Sequence, residues 1–180
     1  YNDAPCHENR PVHPLLSRLR SLVPAPLTVG RREMLLGCLG AGLGLCVTEW
    51  LSLHTLGTTD PWFLAPMGAS AVLLFAVPAS PLAQPWSILG GNTVSALVGV
   101  SCALLLGHTG LAASAAGALA IAAMFALRCL HPPGGAVAVT AVMGGQAVTH
   151  LGSQFALSPV ALNSGLLMLA ALLFNHFTHR

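Results

Sequence analysis

RCLHPPGGAVAVTAVMGG (Arg128–Gly145) ends an almost charge-free run of alanine and leucine with an arginine and a histidine, followed by two prolines and two glycines. Apolar sequence then resumes. Proline lacks an N–H and clashes with the preceding turn, and glycine weakens a helix interior, so one helix must stop here and another must start. What the break means depends on the medium around it. The 180-residue chain is 54% hydrophobic and 7% charged, with a mean hydropathy of +0.75. A soluble domain carries about 25% charged residues. The composition therefore excludes a water-soluble globule and predicts an all-α integral membrane protein. Non-helical backbone is tolerated at membrane depth only where it is buried in protein or lines a wet cavity. The Pro-Pro-Gly-Gly break thus belongs to a shielded place inside a helical bundle, not to a lipid-facing span.

Working outward from the break, the chain after residue 33 divides into six apolar segments: 34–54, 63–78, 86–107, 111–130, 134–148 and 160–177. Four to six of these are full spans. The second and fifth reach only about 22–24 Å at 1.5 Å per residue, against a hydrocarbon core of roughly 30 Å. Residues 1–33 form a separate basic arm, and residues 34–178 form the membrane domain. Within the arm, PLLSRLRSLV (Pro14–Val23) spaces its leucines as an interfacial helix would, with Arg18 and Arg20 between them. Its apolar stretch is short and arginine-interrupted, unlike a signal peptide.

Five of the seven arginines (Arg10, Arg18, Arg20, Arg31, Arg32) precede the first segment, and lysine is absent. The positive-inside bias then places the N-terminus in the cytoplasm. With six crossings Arg128 and Arg180 fall on that same side, and Asp60 falls outside. A bacterial inner (plasma) membrane with both termini cytoplasmic is the expected location. Trp50, Trp62 and Trp86 sit at segment ends, as an aromatic belt requires. Cys6, Cys38, Cys46, Cys102 and Cys129 show no paired spacing, and the histidines show no metal-ligand spacing. No metal or cofactor is expected.

Segments two and five read as weak copies. APMGASAVLLFA (Ala65–Ala76) aligns with HPPGGAVAVTAV (His131–Val142), placing Pro66 on Pro132 and Gly68 on Gly134. Each is followed by a segment with a polar pair, Asn92-Thr93 or Asn163-Ser164. Three-segment units repeated in this way have opposite orientations, the arrangement of many transporters, whose sites lie near the midplane at short, Gly/Pro-interrupted segments. If helices start at Pro66 and at His131–Pro132, their free N–H groups face each other and suit an anion.

The residues expected to hold it are Pro66, Gly68, Ala69 and Ser70 in the first copy, and His131, Pro132, Pro133, Gly134 and Gly135 in the second. Arg128 supplies positive potential there, or instead snorkels to headgroups. Asn92 and Asn163 orient the ligand, or instead glue helices together. Glu49 and His131 are the proton-coupling residues if transport is coupled; instead, Glu49 is an interfacial carboxylate and His131 caps or hydrogen-bonds the helix break.

The block PWFLAPMGASAVLLFAVPASPLAQPWSILGGNTVSALVGV, followed by LHPPGGAVAVTAVMGG, resembles the HPP family of small integral membrane proteins, over roughly residues 30–178. That family is named for the tripeptide found here at His131, Pro132 and Pro133. The resemblance implies a helical membrane domain and supplies a substrate: plant plastid and cyanobacterial relatives are linked to nitrite transport. Some members carry regulatory CBS domains after the membrane part; none is expected here before Arg180, unless a longer native C-terminus was removed.

Two functions remain open on these grounds. The first is a transporter or channel for a small inorganic anion, nitrite foremost. The second is a membrane-embedded binding or sensor module without net transport. No nucleophile–base pair, GxGxxG, Walker-type or HExxH pattern occurs, so an enzyme is not expected. Partners are the lipid bilayer, the anion and, through small-residue helix faces, a homo-oligomer; nucleic acid is not among them.

Overall fold

The computed structural model describes residues 29–56 and 61–179. The expected interfacial helix at Pro14–Val23, Cys6 and Asp60 lie outside these residues. The described body is all-helical, with no strand among the described residues.

The chain forms α1 (Arg31–Leu56), α2 (Pro61–Ala71), α3 (Pro85–Leu106), α4 (Gly110–Ala126), α5 (Pro133–Met143) and α6 (Leu162–Phe177). The end of α2 widens into a π-helical turn at Val72–Ala76, and α6 is entered through another at Ala156–Ala161. Three stretches are long and apolar enough to cross a bilayer: Arg31–His54, Pro85–Leu106 and Ala156–Phe177. The others are shorter. α4 has 17 residues and α5 has 11, which at 1.5 Å per residue is about 25 Å and about 16 Å.

Helix direction alternates along the chain, and three contacts show it. The Arg32 guanidinium donates to the Thr178 carbonyl at 3.4 Å, so the start of α1 and the end of α6 share one end of the body. At that end Trp86 Nε1–H donates to the Leu127 carbonyl at 3.1 Å, joining the start of α3 to the end of α4. At the opposite end the His108 ring bonds the Val142 carbonyl through Nδ1 at 2.7 Å, tying the α3–α4 turn to the end of α5. The first of these will be called the arginine end.

Small residues decide how closely the helices approach. A methyl group on Gly40 would stand 2.5 Å from the Phe75 ring and 2.8 Å from Phe174. The glycines of α1 therefore form a slot that admits Phe75, which meets Phe174 edge-on at 5.8 Å. On α3, a methyl on Gly99 would stand 2.5 Å from the Ala138 carbonyl oxygen, so α5 lies almost against the α3 backbone. Ala112, Ala116 and Ala120 of α4 pack with Ala138 and Val142 of α5 in a core made almost wholly of small side chains. Close backbone approach is what drives helix association when lipid is as apolar as leucine. The outer faces carry Leu35, Leu39 and Leu43 on α1, and Leu104, Leu105, Leu111, Leu119 and Phe125 around α3 and α4. Trp50 and Trp86 are exposed near helix ends, where a membrane interface suits them.

Several boundaries differ from the sequence expectation. No helix starts at Pro66: α2 begins at Pro61 and Pro66 lies inside it. The missing N–H is tolerated there because neighbouring helices shield the turn; Pro66 is fully buried. The irregularity of this segment is instead at its far end, in the π turn. The fourth segment stops at Ala126, short of residue 130. The fifth is a helix only to Met143; it then breaks at Gly144–Gly145 and makes a one-turn helix at Gln146–Thr149.

Candidate functional site

The break between α4 and α5 is built from two local motifs. Past the C-cap Leu127, Arg128 takes a left-handed conformation, φ 54°. Its N–H donates to the Phe125 carbonyl at 3.2 Å, and the Cys129 N–H donates to the Met124 carbonyl at 2.9 Å. This is the Schellman arrangement, which satisfies the orphan carbonyls of a helix C-terminus and usually has glycine where Arg128 stands. The Arg128 side chain is exposed at the arginine end.

The chain then turns inward. His131 is fully buried and lies over α3, where a methyl on Gly91 would stand 2.6 Å from its Cβ. Its Nδ1 lies 2.9 Å from the Leu82 carbonyl oxygen, and its Nε2 lies 2.9 Å from Ser70 Oγ. A carbonyl only accepts, so Nδ1 carries the proton, and in the neutral ring Nε2 accepts from the Ser70 hydroxyl. One imidazole thereby joins α2, the connection before α3 and the break.

Pro133 opens α5, where its missing N–H costs nothing. The next two N–H groups are already engaged: Gly134 donates to the His131 carbonyl at 2.8 Å and Gly135 to the Pro132 carbonyl at 3.1 Å. The expectation of free backbone N–H groups across this start is corrected by that turn. A methyl on Gly134 would stand 2.6 Å from Ser95 Oγ. Ser95 is close to the middle of α3, so α5 starts well inside the bundle.

Above the break lies a layer of uncharged polar side chains. Asn92 Nδ2 on α3 donates to Ser164 Oγ on α6 at 3.0 Å. Asn163 Nδ2 on α6 donates to Ser52 Oγ on α1 at 3.4 Å. Asn92, Ser95, Asn163 and Ser164 are at most 1% exposed. Three of their atoms have no hydrogen-bond partner: Asn92 Oδ1, Asn163 Oδ1 and Ser95 Oγ. A buried polar atom left unpaired costs about 1–3 kcal/mol, so the layer is poised for another partner. Since a serine hydroxyl both gives and takes, a half-turn of either amide exchanges the free carbonyl oxygen for free N–H donors.

The residues expected at the site separate into two groups. Ser70 and His131 bond each other, while Asn92 and Asn163 join the polar layer; Pro66, Pro133 and Gly134 are buried around them. Arg128, Ala69 and Pro132 are exposed, and Gly68 and Gly135 are half-buried with open space where a side chain would go. Glu49 is half-buried on α1, one turn before Ser52. Sequence reasoning missed Ser95 and Ser52. Ser95 lies three residues from Asn92, one helical turn away on the same face, and that spacing was the available signal. No group of three or more His, Cys, Asp or Glu side chains is arranged to hold a metal among the described residues.

The chain is similar to two transmembrane proteins of Dictyostelium discoideum. One is 34% identical over 161 residues, covering 87% of this chain and 51% of the relative. The other is 36% identical over 121 residues, covering 65% of this chain and 42% of the relative. The chain thus spans about half the length of the relatives it matches. No solved structure matches it. With an apolar helical body, relatives that are transmembrane proteins and residues 26–180 matching the model for the HPP transmembrane region, the chain is an integral membrane protein of the HPP family.

Proposed function

We propose that this protein is a transporter or channel for a small inorganic anion, with nitrite the first substrate to test. The observation that carries the reading is the buried layer of Asn92, Ser95, Asn163 and Ser164, which leaves three polar atoms unpaired between apolar helices. Interhelical asparagine bonds are worth about 0.6 kcal/mol each on average, so glue alone is a weak reason to bury unpaired amides. A small polar solute in the layer supplies the missing partners. The two asparagines come from the third and sixth helices, the corresponding members of two three-helix units, which supports an inverted repeat with its site at the interface between units. Arg128, exposed at the arginine end, raises the local concentration of anions at that mouth. Nitrite itself comes from the family resemblance.

The test is nitrite uptake into proteoliposomes, with nitrate, formate and chloride as competitors, for the wild type and for Asn92→Leu. Saturable uptake that the variant loses while still eluting as a folded species supports the reading. A folded wild type that neither binds nitrite nor moves it removes nitrite from the proposal.

A further inference from the structure

We infer that the buried layer takes its solute without net charge, as the protonated acid: for nitrite, nitrous acid. This rests on the reading of the layer as the solute site and goes further in naming the species that occupies it. Among Lys and Arg, Arg128 is the only residue between Arg32 and Arg180, and its side chain is exposed at the arginine end, whereas Asn92 and Asn163 are buried. The other ionisable groups on helices packed around the layer do not supply a positive charge to it. Arg31, Arg32 and Glu33 lie in the first turn of α1, and His176 lies in the last turn of α6; His54, two residues past Ser52, is exposed and bonds the Trp50 carbonyl through Nδ1. α4 and α5 carry no ionisable side chain. Glu49, a turn before Ser52, brings no positive charge in either protonation state. Both nitrogens of the His131 ring are taken by Leu82 and Ser70, so the ring offers the layer no donor. The N–H groups of Gly134 and Gly135 at the start of α5 are engaged by the turn.

An isolated anion drawn into such a place loses its hydration and gains only uncharged dipoles, so it meets the desolvation penalty almost in full. The conjugate acid does not. Its O–H donates to an amide oxygen such as Asn92 Oδ1 or Asn163 Oδ1, the atoms left without partners, and its other oxygen accepts from an amide N–H. A proton and an anion leave solution together on one side and separate again on the other, so each turnover moves no net charge.

The test is initial nitrite uptake by the full chain in proteoliposomes, with the membrane potential clamped by a potassium gradient and ionophore. The flux through protein-free vesicles, which the acid also crosses, is subtracted. At fixed total nitrite the protein-dependent rate should rise about tenfold for each unit of pH decrease below saturation, as the acid fraction does. It should not change when the potential is reversed. Asn92→Leu and Asn163→Leu, each checked for folding by its thermal midpoint, should lose this flux. Protein-dependent flux that follows the clamped potential, or a steady nitrite current, would overturn the inference while leaving nitrite transport standing. No protein-dependent flux at any pH or potential overturns the inference and the transport reading together.

Discussion

Asn92 and Ser164 hydrogen-bond at 3.0 Å between the third and sixth helices, and neither side chain touches solvent. The bond spans 72 residues of sequence and leaves the second polar end of Asn92 unpaired. A bond that served packing alone would be replaceable by well-fitted apolar side chains.

Asn92→Leu should therefore separate stability from transport. It removes one unpaired buried oxygen but leaves the buried Ser164 hydroxyl without its donor, and these offset, so the thermal midpoint in detergent should move little, by less than about 1 kcal/mol in free energy. Nitrite uptake should fall about tenfold or more, the cost of losing one hydrogen bond to a buried solute. Parallel melting and uptake curves check it; a large stability loss with unchanged uptake would make the asparagine structural.

Two substitutions on α1 should have opposite outcomes. Gly40→Ala sets a methyl 2.5 Å from the Phe75 ring, which is buried and cannot swing away. It should destabilise by about 1–3 kcal/mol. Gly42→Ala has nothing within 4 Å and should be neutral or stabilise by up to about 1 kcal/mol through helix propensity. Chemical denaturation in mild detergent distinguishes them.

At Arg128, glycine and alanine are expected to act differently on the fold and alike on the anion. The left-handed conformation costs a non-glycine residue about 1–2 kcal/mol, so Arg128→Gly should raise stability by about that amount and Arg128→Ala should not. Both remove the exposed charge. If nitrite enters as the bare anion, both should slow uptake at low ionic strength, with the deficit fading as salt screens the charge; entry as the neutral acid, which a surface potential does not concentrate, should leave both at the wild-type rate.

The Ser70–His131 bond should appear as coupling in a double-mutant cycle. Ser70→Ala leaves a buried ring nitrogen without its donor, at a cost of about 1–3 kcal/mol. After His131→Phe the same serine change should cost less, with an interaction energy of about 1 kcal/mol. Additive effects would mean that the bond contributes nothing beyond packing.

The six helices were legible in hydropathy, and α3 begins and ends within one residue of the segment expected from it. The break after α4 was legible too, because Pro-Pro-Gly-Gly allows no other local answer. Pro66 misled, since the same residue marks a helix start in one setting and is absorbed in a helix interior in another, and only the surrounding burial decides. The engagement of the Gly134 and Gly135 N–H groups depends on backbone turn geometry that side-chain types do not encode. Ser52 could not be found from its neighbours: its partner Asn163 lies 111 residues away, and serine is common on any membrane helix.

The 3.4 Å contact between Arg32 and the Thr178 carbonyl brings the two extremities of the helical body within reach of one short peptide linker. The exposed turn at His108–Thr109 lies between α3 and α4. The body is thus suited to circular permutation, with a linker at the arginine end and new termini in that turn. Helices α4 to α6 would then be made before α1 to α3, with every helix keeping its neighbours. Chain order and membrane insertion order could in this way be varied independently of the packed arrangement, which few bundles with ends on opposite sides allow.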